Sequence, residues 1–278
     1  MQEPLNEISK SLIKIDAKVL ELVYKDLAQP SVKKVGKSLS TVLGLGNTVL
    51  LPIKLLNEKA KILYQRHMES YKQKLEYVPI EDIKEVEPEI GVPILENLES
   101  TTNEKLSELY INLLANSSDK KYAKEVHPRF VRIIENIVPD EARILEYLDK
   151  FRNIHETIPF ITLRLHINIS HLEIEIQNGF VDANEKYTIL EDNDTLHLPA
   201  KTKEYFENLV GLGLINCETS KLIQENSYDE LIKKQEKYIK EQKQLPHITN
   251  VTFLKGYFEL TKFGKSFIRA CKSNRTEE

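Results

Sequence analysis

Hydrophobic positions change their period along the chain. Leu5, Ile8, Leu12, Ile15, Val19 and Leu22 recur every three or four residues, one face of a helix that ends at Pro30. That narrow seam suits either a core-facing helix or one that pairs with another helix or a second copy. Residues 54–78 read as a long charged helix with Leu55, Leu56, Ile62, Leu63 and Leu75 as its apolar positions and Tyr64 and Tyr71 between them. Residues 78–93 then carry Pro79, Pro88, Pro93 and Gly91, which predicts a linker or an extended segment. Helical spacing returns after Thr102, a capping candidate, with Leu106, Leu109, Tyr110, Leu113 and Leu114 on one face and Asn116, Ser117 and Ser118 as the stop. Pro128 opens the next helix, with Phe130, Ile133, Ile134 and Ile137 facing inward, and Pro139 opens another through Phe151.

From Ile158 the period becomes two. Ile161, Leu163, Leu165, Ile167 and Ile169 alternate with Thr162, Arg164, His166 and Asn168, and Leu172, Ile174 and Ile176 alternate with Glu173 and Glu175. This predicts a hairpin through Ser170 and His171. A helix with Tyr205, Phe206, Leu209 and Val210 inward closes at Gly211 and Gly213 and leads to a short apolar strand. A charged helix covers residues 228–244. Two short strands around Lys255 and Gly256 then precede a terminal helix capped by Thr261. Helix, strand, hairpin and helix in that order predict a winged-helix-like domain. The expected fold is therefore mainly α (α+β): basic amphipathic helices over 1–84, a central helical core over 85–138, and a winged-helix-like domain with a small antiparallel sheet over 139–278.

Composition narrows the function classes. With 278 residues and 41% hydrophobic positions the chain can bury real cores, so a disordered chain is excluded. Net charge is −4, which gives the chain as a whole no electrostatic case for nucleic acid. The distribution is uneven: residues 1–75 hold 13 Lys and Arg against 7 Asp and Glu, whereas 76–138 hold 7 against 13. Two cysteines and no secretory leader point to a reducing cytoplasm. Residues 38–53 are uncharged but interrupted by Gly44, Gly46 and Pro52. They are shorter than the roughly 18–20 apolar residues that a span requires. Flanked by Lys33, Lys34, Lys37, Lys54, Lys59 and Lys61, the segment can be read in two ways. It is a buried helical hairpin, or Val42, Leu43, Leu45 and Leu50 enter the acyl boundary of an inner membrane whose anionic headgroups meet the lysines.

Several blocks together resemble a known family. They are Leu-Tyr-x-Asn-Leu-Leu-Ala at Leu109 to Ala115, with Tyr110, Asn112 and Leu113, and His-Pro-x-Phe-Val-x-Ile-Ile at His127 to Ile134, with Pro128 and Phe130. A third is the Pro-Asp-Glu-Ala helix start at Pro139, Asp140, Glu141 and Ala142. Glu87, Pro88 and Pro93, Leu212 to Ile215, and Glu259 to Phe267 fit the same pattern. The set resembles the abortive infection alpha family of bacterial proteins. Val138 stands where that family often has Ser, a residue that would cap the helix and form a capping box with Glu141. The resemblance implies defence against bacteriophage by abortive infection. It implies no catalytic residue, so the motif residues are read as architectural.

Chemical candidates are few. His127 precedes a proline and so sits at a helix boundary, where bonding to a helix-end carbonyl is the expected role. The chain lacks GxxxxGK[ST], GxGxxG after a strand, GxSxG and HExxH. His166 with His171, and Glu191 with Asp192 and Asp194, lack the other ligands of a metal site. No cofactor or metal is expected. Lys201, Lys203 and Lys255 are the candidate nucleic-acid contacts of a DNA-binding regulator, although the recognition helix of that module carries Glu204 and Glu207 as well. The function that fits best is a non-enzymatic phage-defence protein acting through a protein partner, self-association or the membrane surface. A transcription regulator and a membrane-disrupting effector are the alternatives.

Overall fold

The computed structural model describes residues 30–44, 58–150, 157–168, 178–192, 194–220, 223 and 226–273. The chain forms two compact units, one within Met1–Arg132 and Ala270–Glu278, the other Ile133–Arg269. The fold is mixed α and β. Ten α-helices and four strands lie among the described residues. The seam at residues 5–22, the hairpin expected through Ser170 and His171, and Leu45 and Leu50 lie outside them.

In the first unit α1 (Pro30–Gly44), α2 (Glu58–Glu76), α3 (Pro88–Leu98) and α4 (Glu104–Ser117) supply the core. Tyr71 on α2 is fully buried, and its hydroxyl lies 2.7 Å from Ser38 Oγ and 2.6 Å from Ser118 Oγ. A buried phenol needs such partners, because an unmet hydroxyl costs about 1–3 kcal/mol. Of the linker expected over 78–93, residues 78–87 stay non-helical, and helix α3 corrects the expectation for 88–93. Pro88 stands at the start of the helix, where a missing N–H is harmless, and Pro93 lies inside it. An internal proline costs about 3 kcal/mol. Ile90, Ile94, Leu95 and Leu98 are buried on this helix, and each contributes about 1.5–3 kcal/mol. Burial wins.

Helix ends in this unit are finished by side chains, some of them distant in sequence. Lys34 donates to the carbonyls of Leu75, Glu76 and Val78 at 3.2, 2.9 and 2.6 Å, which places a cation at the negative end of α2. Lys37 donates to Ile80 O at 2.7 Å. Asn103, one residue past the expected Thr102, caps α4 by accepting the amides of Lys105 and Leu106. The stop expected at Asn116, Ser117 and Ser118 is where α4 ends, with Ser118 as its C-cap. The helix runs to Ser117, and Asn112 and Asn116, one turn apart, donate from buried positions to the carbonyls of Cys271, Ala270 and Lys272.

The second unit is built on an antiparallel sheet of β1 (Thr157–Asn168), β2 (Asn178–Thr188), β3 (Ile215–Glu218) and β4 (Ile248–Leu260) in the order β2-β1-β4-β3. The alternation read from the sequence sorts β1 correctly. Ile161, Leu163 and Leu165 pack with Tyr187, Val251, and with Tyr228, Leu231 and Ile239 from α8 (Asn226–Lys234) and α9 (Glu236–Lys243). The charged helix expected over 228–244 is thus two, broken at Gln235. The other side of the sheet carries Phe160 and Phe258, and Phe258 stacks on Phe206 of α7 (Thr202–Gly211) at 3.9 Å. Edge strand β2 bulges where residues 184–186 oppose Thr162, whose hydroxyl accepts the Lys186 amide. Bulges of this kind discourage pairing with foreign strands.

Helix α7 ends in a Schellman turn. Gly213 has φ +75, its amide donates to Val210 O, and the Leu214 amide donates to Leu209 O. Thr261 then starts α10 (Lys262–Cys271), accepting the Gly264 amide and donating to Gly213 O. This contact explains why Leu-Gly-Leu-Ile and Glu-Leu-Thr-x-Phe-Gly occur in one pattern.

The two short strands expected around Lys255 and Gly256 are one continuous strand. The reversal that Gly256 suggests does not form: the glycine lies opposite Phe160 in the middle of β4, and a Cβ there would sit 2.4 Å from Phe160 Cζ and 2.5 Å from Glu218 O. The glycine allows a close approach rather than a reversal. The wing expected at Lys255 is therefore not a hairpin. Gly256→Ala should destabilise the protein by about 3 kcal/mol, the upper part of the overpacking range, in a urea unfolding titration.

Candidate functional site

The Pro-Asp-Glu block builds a dense polar cluster in the second unit. Helix α6 (Pro139–Lys150) starts with Pro139, whose fixed φ suits a first helical position. Asp140 and Glu141 follow and, unusually for first-turn acids, both are buried, 4% and 2% exposed. Asp140 Oδ1 accepts the His197 amide at 3.0 Å and Arg143 Nη1 at 2.6 Å. Its Oδ2 accepts the Leu198 amide at 2.9 Å and the Tyr205 hydroxyl at 3.4 Å. Glu141 reaches back to the Val138 amide at 2.7 Å, and its other oxygen accepts Asn208 Nδ2 at 2.8 Å, while the same amide group donates to Asn136 O. The clamp joins α6 to the 197–198 segment and to α7.

The two carboxyls are pushed in opposite directions. Burial raises Asp140, but the amides of His197 and Leu198 and the Arg143 guanidinium outweigh it and hold the group below the ordinary carboxylate range. Burial also raises Glu141, and the Val138 amide and Asn208 offset only part of that, so it stays above its usual value. Beside them Tyr205 is raised by its own burial and by the negative Asp140. These acids hold a fold junction together, and each carboxylate oxygen is already engaged by a donor. A cleft of 450 Å³ opens next to them, lined by Val138, His197, Leu198, Lys201 and Glu204 among others. Val138 and Leu198 expose apolar surface at its rim.

The remaining sequence candidates are dispersed. Leu113 and Phe130 are core residues and Tyr110 is 2% exposed, Leu109 is half-buried, and Asn112 bonds Cys271 O. His127 is exposed, and its Nδ1 accepts the Arg129 amide at 3.0 Å. It thus caps the start of α5 (Arg129–Glu135), just after Pro128. Val42 and Leu43 lie in the last turn of α1. Lys203 bonds Glu185 at 2.6 Å, Lys201 is 4.0 Å from Glu204, and Lys255 lies over the Tyr228 ring in mid-strand. The three lysines therefore sit in three different settings. His166 bonds Thr252 Oγ1, and Asp192 accepts the Tyr187 hydroxyl and pairs with Lys234. Among the described residues no cluster of three or more His, Cys, Asp and Glu side chains is placed to hold a metal ion.

Sequence reasoning singled out Asp140 and Glu141 but missed Arg143, His197, Tyr205 and Asn208 as their partners. Only Arg143, three residues on, was accessible from spacing.

Comparison with known proteins agrees with this arrangement of motifs. Residues 63–271 match the family described as Abortive infection alpha. The chain belongs to that family. No curated protein and no solved structure matches it. Within the abortive infection alpha match, the motif residues of both units are mostly buried or engaged in caps.

Asp140→Asn places an amide where four donors converge and should cost about 2–3 kcal/mol, as for bonds to a charged group. Glu141→Gln, which removes a buried charge, should cost less. The sign with pH follows from the depressed Asp140: its stabilisation is complete above the unfolded carboxyl value of about 4 and is lost as pH falls through the lower folded value. Urea titrations from neutral to acidic pH should show that loss in the wild type and not in Asp140→Asn. Val138→Ser should complete the capping box and raise stability by about 1 kcal/mol, seen as a higher melting temperature.

Proposed function

We propose that this protein defends a bacterium against phage by abortive infection, as a non-enzymatic protein that acts through contacts with another protein or with itself. The observation that carries the reading is the family match across residues 63–271. The occupied oxygens of Asp140 and Glu141 support the non-enzymatic part, because the most distinctive acids of the chain serve the fold. The cleft beside them, with Val138 and Leu198 at its rim, offers a surface for a protein contact.

The rival readings have less support. Lys34 and Lys37, which would meet anionic lipid in the membrane reading, bond backbone carbonyls. No helix of the described residues is long and apolar enough to cross a membrane. For the DNA reading, Lys203 is tied to Glu185. A cytoplasmic site of action, with peripheral membrane association as a variant, completes the proposal.

A sensitive bacterium expressing the chain should survive infection at low phage dose and collapse at high dose, whereas cells without it should lyse at both. Val138→Asp with Leu198→Asp, made at exposed rim positions, should abolish protection while leaving the folded protein at wild-type abundance. Protection unchanged by the double variant would remove the cleft from the mechanism. Survival of infected cells at high dose would rule out abortive infection.

A further inference from the structure

A second cavity, 460 Å³, runs along α2 and α4 in the first unit and has polar walls of both signs. Its inner surface includes His67 and Ser107, each only 5% exposed. The Leu98 carbonyl, 2.9 Å from His67 Nδ1, can only accept, so Nδ1 carries the proton and Nε2 presents a lone pair. Ser107 donates its own proton to Glu104 O at 3.0 Å, which leaves its oxygen as an acceptor too. Burial lowers His67 below its ordinary value, and Arg66 adds to this against the Leu98 bond, so the ring is neutral at pH 7.

Two acceptors inside the cavity favour a ligand that donates. Glu104 and Glu108 on the α4 wall make a cationic donor the better fit, and Arg66 and Lys74 on the α2 wall suit an anion. Arg66 and Glu104 lie 3.8 Å apart with 66% and 92% of their side chains exposed. Such a pair contributes little in water, so its partners exchange readily for ligand charges.

We propose that this cavity binds a small zwitterion of the α-amino-acid type, the ammonium donating to His67 Nε2 and Ser107 Oγ and the carboxylate meeting Arg66 and Lys74. The volume falls in the range of small-molecule sites, about 300–1,000 Å³. The inference goes beyond the defence reading and does not depend on it.

The test is calorimetric titration of the full chain with each free L-amino acid in turn, and with the des-amino and decarboxylated analogues of any that bind. At least one amino acid should bind saturably at one site, and both analogues should be weaker by at least about tenfold, the order of one lost charge-assisted hydrogen bond. Ser107→Ala and Arg66→Gln should each weaken the parent ligand similarly. Arg66 is exposed, so its variant remains informative if Ser107→Ala fails to fold. The proposal is overturned if no amino acid binds, if either analogue binds as tightly as its parent, or if folded Arg66→Gln retains full affinity.

Discussion

The second unit depends on one buried charge. Asp140 is almost inaccessible to water, and its ionised form persists because two amides, a guanidinium and a phenol replace the lost hydration. Those donors come from α6 itself, from the 197–198 segment and from α7, so satisfying one carboxylate fixes three pieces of chain. Glu141 adds the return bond to Val138 and the Asn208 bridge. A half-met network would be worse than an apolar contact, which makes the cluster an all-or-none specification of the junction.

The first unit uses the same logic on helix ends. A helix leaves four carbonyls unmet at its C-terminus, and near-by sequence often supplies a glycine to resolve them. Here Lys34 reaches across to the end of α2, and Asn112 and Asn116 reach the carbonyls of residues 270–272. The Leu-Tyr-x-Asn-Leu-Leu-Ala motif is therefore a packed helix face with a polar bond built into it. His127, exposed at the start of α5, completes the pattern by accepting an amide.

This division of labour bears on function. Beside the motif residues engaged in caps and clamps lie two open features, the cleft rimmed by Val138 and Leu198 and the polar cavity along α2 and α4. The family membership supplies the biological frame, and the cleft supplies a place at which to test it.

The sequence by itself determined the elements whose periodicity is local. The α2 and α4 helices, the start of α6 at Pro139 and the inward residues of β1 follow from spacings of three, four and two, because burial on one face leaves that imprint. His67 also left a mark, falling on the α2 stripe three residues after Tyr64 and four before Tyr71. Tertiary structure alone decided the rest. Pro88 and Pro93 read as a linker until burial of α3 outweighed them. Gly256 read as a turn because a close approach and a reversal both favour glycine, and only Phe160 across the sheet distinguishes the two. The partners of Asp140 lie as many as 65 residues away. No local pattern can record a hydrogen bond across that separation, since its geometry exists only after the chain has folded.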